Sequence, residues 1–228
     1  MRCGAFLLVV GLSLACSEQP APDILLLTLD TTRFDALGAF AGGAARSPRL
    51  DALAAESLRF DQAVTTAPYT GPSHASMLTG LLPPEHGLRD FLGHALAPEA
   101  LTLAELLSRN GYVTGAFVSA YVLDPRFGFD QGFEVYSSPP LREGAWSSQR
   151  RAAETVNAAL SWLGEREASR AFLAWVHLYD PHVPYRPPKH HRTALPRDAT
   201  HIERQRSRYR DEVAYMDAEI GRLLDGLD

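Results

Sequence analysis

From Asp23 onward the chain alternates short apolar runs with amphipathic stretches of helical period. That alternation narrows the fold more than any other feature, because strands joined through intervening helices run parallel in one sheet covered on both faces. Ile24 to Leu29 is a near-continuous apolar run, as a strand buried on both faces requires. Tyr112 to Val118 and Phe172 to Leu178 read as further strands, and Arg59 to Val64 as a short one. Helices are expected from Pro48, with Ser47 as N-cap and Leu50, Leu53, Ala54 and Leu58 on one face, and again from near Pro72. Another is expected over Thr102 to Asn110, with Thr102 and Glu105 as a capping box and Gly111 at its end. Ser148 to Arg166 and a long last helix marked by Val213, Met216, Ile220, Leu223 and Leu227 carry apolar residues at helical spacing. Phe127 to Gly144, rich in Gly, Pro and aromatics without a period, is read as an ordered surface excursion. The expected fold class is α/β.

The first sixteen residues differ: Arg2 gives a positive start, Ala5 to Leu14 an apolar run, and Ala15 a small residue before Cys16. This reads as an export signal, too short for a membrane span of roughly 20 apolar residues. Leu-Ser-Leu-Ala-Cys resembles a bacterial lipobox, so the expectation is a lipid anchor on Cys16 at the cell envelope, in the periplasm or on the outer membrane. Simple cleavage with an incidental cysteine is the alternative. Residues 17–22 read as a polar, Pro-rich tether. The only cysteines, Cys3 and Cys16, both lie in the signal region. A formal charge of -5 gives no footprint for nucleic acid, which is excluded as a partner.

Two positions carry chemistry. Asp30 falls at the carboxyl end of the first strand, the edge where open α/β sheets bind ligands, and suits a hard divalent cation. It could equally cap the turn. Thr70 opens a helix in Tyr-Thr-Gly-Pro-Ser-His, where exposed N–H groups and the positive dipole end favour an anionic ester. Beside a metal its hydroxyl could ionise and attack phosphorus or sulfur, although Thr70 or Ser73 could also be a plain N-cap.

Together the two segments resemble the sulfatase family of the alkaline phosphatase superfamily, in which a strand ending in a metal-binding Asp precedes a Cys- or Ser-x-Pro-Ser-Arg block closing in Thr-Gly. Here the block is Thr70-Gly71-Pro72-Ser73-His74, closing in Thr79-Gly80, with His86-Gly87 after it. The likeness continues through Asn110 to Thr114, Phe127 to Phe133, His177 to Tyr185 and Tyr209 to Leu224. It implies an alkaline-phosphatase-like three-layer α/β/α sandwich over 23–228 whose C-terminal part is missing. It also implies a hydrolase or transferase of anionic sulfate or phosphate esters, with one or two divalent ions (calcium, manganese or zinc). Residue by residue, Asp30 is implied as a metal ligand, Thr70 as nucleophile and ligand, and His182 as the contact to the substrate anion. His74 or His182 would steady the anion or protonate the leaving group. His177 is read as a core histidine, and Arg33 with Asp35 as a structural ion pair.

Departures from the family pattern sharpen the expectation. Thr70 cannot become the formylglycine aldehyde, so the geminal-diol route is closed to it, and a phosphoester is at least as plausible as a sulfate ester. Thr31 stands for a second Asp, His74 for an Arg, and Ser119 and Tyr121 lie near the places of a Lys and a His. Because the family's remaining metal ligands lie beyond the last helix, the 228-residue chain is expected to be catalytically impaired. The rival reading is a non-catalytic binding or scaffolding lipoprotein on the same fold.

Overall fold

The computed structural model describes residues 20–41, 45–90, 94–140 and 149–227; the signal segment, the lipobox and Cys16 lie outside the described residues. In chain order the elements are β1 (Ile24–Leu29), α1 (Gly38–Ala41), α2 (Pro48–Ala55), α3 (Thr70–Thr79), α4 (Pro83–His86) and α5 (Leu103–Arg109). They continue as β2 (Val113–Val118), β3 (Val135–Ser137), α6 (Ala152–Glu165), β4 (Phe172–Leu178) and α7 (His201–Asp225). The four strands make one parallel sheet in the order β1-β4-β2-β3. Both β2 and β4 are buried along their whole length, which explains their apolar runs without alternation.

Register decides what meets on each face. Ile24 to Leu29 lie beside Leu173 to Leu178, and Val113 to Val118 beside Phe172 to His177. With a side-chain period of two, Leu26, Ala116, Val118 and Trp175 share one face, where Ala75 and Leu78 of α3 cover them with Leu88, Leu123 and Phe129. Leu27, Phe117, Val176 and Leu178 share the other, under Val156 and Ala159 of α6 and Met216, Ile220 and Leu223 of α7. The result is a three-layer α/β/α sandwich. Each of these large side chains stabilises it by roughly 1.5–3 kcal/mol through burial. Gly115 on β2 makes room for α6, since a Cβ there would stand 2.9 Å from the Trp162 ring.

Local signals hold at several helix ends. Thr102 Oγ1 accepts from Glu105 N at 3.1 Å while Thr102 N donates to Glu105 Oε2 at 2.9 Å, closing the expected box on α5. Gly80, with φ of 72°, ends α3 in the left-handed region that favours glycine. Ser47 occupies the N-cap position of α2 but makes no capping bond; its hydroxyl accepts from Gly38 N at 2.9 Å and donates to Asp51 at 3.0 Å, tying α1 to α2.

Three expectations need correction. Arg59 to Val64 forms no strand: Phe60 is 71% and Val64 89% exposed, and no described strand lies beside the segment to pair its backbone. Leu58 lies beyond the end of α2, exposed. The described part of Phe127 to Gly144 is more than a surface excursion. Phe129 is buried, Phe133 and Tyr136 pack on Trp175, and β3 extends the sheet beside β2. Among the described residues no helix is long and apolar enough to cross a membrane.

Candidate active site

The period of two that places Leu26 and Thr28 on the α3 face places Asp30 there too, just past the end of β1. Asp30 N continues the ladder to Leu178 O at 2.9 Å. On β4 the same face carries Trp175, whose Nε1 donates to Thr28 Oγ1 at 3.1 Å, and His177. His177 Nε2 stands 3.4 Å from Asp30 Oδ2. From above, the first residue of α3 reaches down: Thr70 Oγ1 donates to Asp30 Oδ2 at 2.7 Å. Burial would raise the Asp30 pKa, but the hydrogen bonds from His177 and Thr70 outweigh it and hold the carboxyl below its usual range. Asp30 is therefore a buried, ionised carboxylate. Neither plain-capping alternative describes what is seen: Thr70 lies inside α3 behind Tyr69 at the N-cap, and its hydroxyl is spent on Asp30.

Behind Thr70 lies His74, one turn on. Its Nδ1 is 2.7 Å from Thr70 O, and its ring packs between Trp175 and His177. Burial, with His177 beside it, lowers its pKa to about 3, so the ring is neutral at neutral pH. With Nδ1 donating to the carbonyl, Nε2 keeps a buried lone pair without a partner.

His182 comes from the turn after β4. It stacks on Tyr179 with ring centroids 4.3 Å apart, and its Nδ1 is 2.8 Å from Val183 O. Asp30, Thr70, His74, Tyr179 and His182 all line one open cleft of about 780 Å³. Arg33 and Asp35 pair at 2.5 Å on the exposed side of the turn after β1, outside the lining of that cleft.

Two residues of the site were not singled out from sequence. Tyr179 holds the His182 ring, and its only sequence signal is its place between the strand and Asp180. Tyr209 of α7 braces the turn after β1: its hydroxyl accepts from Arg33 N at 2.8 Å and donates to Thr31 O at 3.0 Å. Thr31, with φ of 50°, is the one non-glycine residue with positive φ among the described residues, and a β-branched side chain there is strained. No local pattern links two residues 178 positions apart.

As to a metal, a carboxylate and a hydroxyl oxygen 2.7 Å apart at a cleft floor fit a hard divalent cation as two of its oxygen ligands. Among the described residues no group of three or more His, Cys, Asp or Glu could hold an ion, so further donors would come from water, substrate or protein outside them.

A parallel sheet between two helical layers, with its polar residues gathered at the strands' carboxyl ends, places the chain among three-layer α/β folds that bind ligands at that edge. The family model described as Sulfatase matches residues 22–228, and the chain belongs to the sulfatase family. It is similar to N-acetylgalactosamine-6-sulfatase of Homo sapiens, 29% identical over 255 residues that take in 94% of this chain and 48% of that protein. Among solved structures, phosphonate monoester hydrolase of Agrobacterium radiobacter superposes with a TM-score of 0.73 at 20% identity, covering 91% of this chain and 59% of the other. BT4656 in complex with its substrate D-glucosamine-2-N,6-O-disulfate superposes with a TM-score of 0.72 at 18% identity, covering 90% and 62%. The chain spans about half the length of that human sulfatase.

Proposed function

We propose that the protein carrying this domain is a metal-dependent hydrolase or transferase of sulfate or phosphate esters, with Thr70 as its nucleophile. The observation that carries the reading is the 2.7 Å bond from Thr70 Oγ1 to the ionised Asp30 inside an open cleft. The names of the relatives span both sulfur and phosphorus, a sulfatase and a phosphonate monoester hydrolase.

Thr70 Oγ1 attacks the sulfur or phosphorus, and its new bond forms as the bond to the ester oxygen breaks. The hydroxyl proton leaves by way of Asp30 Oδ2 to solvent, and His182, as imidazolium with Nδ1–H on the Val183 carbonyl, gives its Nε2 proton to the departing oxygen and is reprotonated from solvent. Water, or an acceptor alcohol, then cleaves the covalent adduct and restores Thr70. Asp30 is too weak a base to do this unaided. An alcohol with a pKa near that of water stands roughly 12 units above a carboxylate, on the order of 16 kcal/mol. Asp30 and Thr70 would hold a divalent cation through their oxygens, and such a cation would supply the missing stabilisation of the alkoxide. His74, neutral and buried, serves to position Thr70 through its carbonyl and carries no charge toward the anion. Export and a lipid on Cys16 belong to the same proposal, and intact-mass analysis of membrane-extracted protein tests them: an unmodified mature N-terminus rejects the anchor.

The test is turnover of 4-nitrophenyl sulfate, 4-nitrophenyl phenylphosphonate and bis(4-nitrophenyl) phosphate by chelator-stripped protein refilled with manganese, zinc or calcium, for wild type and Thr70→Ala. Turnover that survives Thr70→Ala removes the nucleophile assignment. Absence of both turnover and stoichiometric metal favours the binding or scaffolding reading.

A further inference from the structure

Tyr179 and His182 line not one cleft but two. The second, a cavity of about 360 Å³, is walled by Arg150 and Arg151 just before α6 and by Arg186 beyond the turn after β4. None of these three guanidinium groups forms an ion pair with an acid among the described residues. Arg150 is held rigidly, with Nε on Thr155 Oγ1 at 3.0 Å and Nη1 and Nη2 on Ser137 Oγ and O at 2.9 and 2.8 Å. The one side-chain bond of Arg151 goes to Arg186 O at 2.8 Å.

The acids of the same cavity are turned to other tasks. Asp180 Oδ2 accepts from Ala152 N at 2.7 Å, and Glu212 Oε1 accepts from Arg186 N at 2.5 Å. Burial pushes their pKa values up to about 7 and about 8, so near neutrality Glu212 is mostly protonated and Asp180 about half so. The remaining acid of the lining is exposed Glu154, set against three guanidinium groups of which Arg150 has spent most of its N–H donors while Arg151 and, among the described residues, Arg186 keep most of theirs. Forked N–H donors of this kind match the oxygens of sulfate, phosphate or carboxylate.

We infer that this cavity is a second oxyanion site, and that the substrate is an ester bearing another sulfate, phosphate or carboxylate group beyond the one attacked. The inference rests on the reading of the Thr70 cleft as the reaction site. Tyr179 and His182 form the partition between the two anions, and Arg151 and Arg186, both exposed, read the outer one.

Calorimetric binding of uncleavable sulfonates to the wild-type chain tests it, comparing 1-butanesulfonate with the α,ω-disulfonates of ethane through hexane. At least one disulfonate is expected to bind about tenfold or more tightly than the monosulfonate. The ratio falls to about one in Arg151→Ala/Arg186→Ala. It is kept in Arg206→Ala/Arg210→Ala, which removes the same charge elsewhere on the surface. Three results overturn the site: no disulfonate outbinding the monosulfonate, a ratio that survives the first pair, or a ratio lost equally in the second. Failure of the catalytic reading shows separately, as a preserved ratio with no turnover of any ester.

Discussion

Two carboxylates leave the same end of the sheet from adjacent strands and meet opposite fates. Asp30, just past β1, is held below the usual carboxyl range, whereas Asp180, two residues past β4, is pushed up to about 7. Burial acts on both in the same direction, so burial does not separate them. Partners do: Asp30 accepts from a hydroxyl and faces an imidazole, while Asp180 has one backbone N–H and the charge of Arg151 set against those of Glu219 and Glu154. The first stays ionised at a cleft floor where a cation or a proton donor can use it. The second is a protonatable brace between β4 and the start of α6.

The largest expected effect tests that division directly. Thr70→Ala and Asp30→Asn should each lower kcat/KM for the best ester by about a thousandfold or more, whereas Asp180→Asn, which keeps an oxygen for Ala152 N, should cost less than about tenfold. Steady-state kinetics on metal-loaded protein measures it. Equal losses at Asp30 and Asp180 would break the comparison.

Much of this arrangement could be read in advance, and for definite reasons. β2 and β4 announce themselves because a strand buried on both faces must be apolar throughout, whereas β1, expected to be buried on both faces, is a half-buried strand at the edge of the described sheet; the Thr102–Glu105 box is purely local chemistry. Arg59 to Val64 looked like a strand because its residues favour one, yet strand formation needs a neighbouring backbone, which sequence composition does not report. Phe129 and Phe133 reach Trp175 from irregular segments and Tyr136 from a strand of three residues, too short for a period to show. Asp30 and Thr70 were legible as motif residues. The approach of His177 to Asp30, 147 positions apart, follows from the β1–β4 register alone, and that is why His177 read as a core residue from its apolar setting.

A smaller effect opposes the two carboxylate types in stability. Glu212 rises from 4.5 to about 8 and Asp180 from 3.8 to about 7 on folding, so between pH 6.5 and 8.5 the folded state binds more protons than the unfolded one. Stability must then increase as pH falls through that window, by on the order of 2 kcal/mol, or roughly 5 °C in Tm. Glu212→Gln, which keeps the acceptor for Arg186 N, should remove more than half of the rise. From about pH 7.5 downward the depressed His74, His86 and His191 act with the opposite sign and offset part of this rise, since the unfolded chain then gains protons that the folded one refuses. A scanning-calorimetry series from pH 8.5 to 6.5 with a flat or falling Tm would remove the distinction between the two carboxylate environments.

The smallest effect concerns how the two strand exits are built. After β4 the chain turns without a strained non-glycine residue, but after β1 it passes through Thr31 at φ of 50°, a conformation that costs on the order of 1–2 kcal/mol for a side chain of this kind. Tyr209 holds that turn from α7 by two hydrogen bonds, so the direction in which Asp30 leaves β1 depends on a residue of the opposite layer. Tyr209→Phe leaves the ring packed on Tyr185 and removes only the hydroxyl. Because the turn is exposed, water takes up part of the loss, and the expected cost is about 0.5–1.5 kcal/mol, a drop of roughly 2–4 °C. The kinetic signature should be a fall in kcat of less than about tenfold at unchanged KM, since Tyr209 reaches the reacting atoms only through the backbone beside Asp30. Thr31→Gly relieves the strain and should recover stability in the Tyr209→Phe background without recovering kcat. Recovery of both would mean that Tyr209 only offsets strain. Recovery of stability alone would show that it also aims the carboxylate.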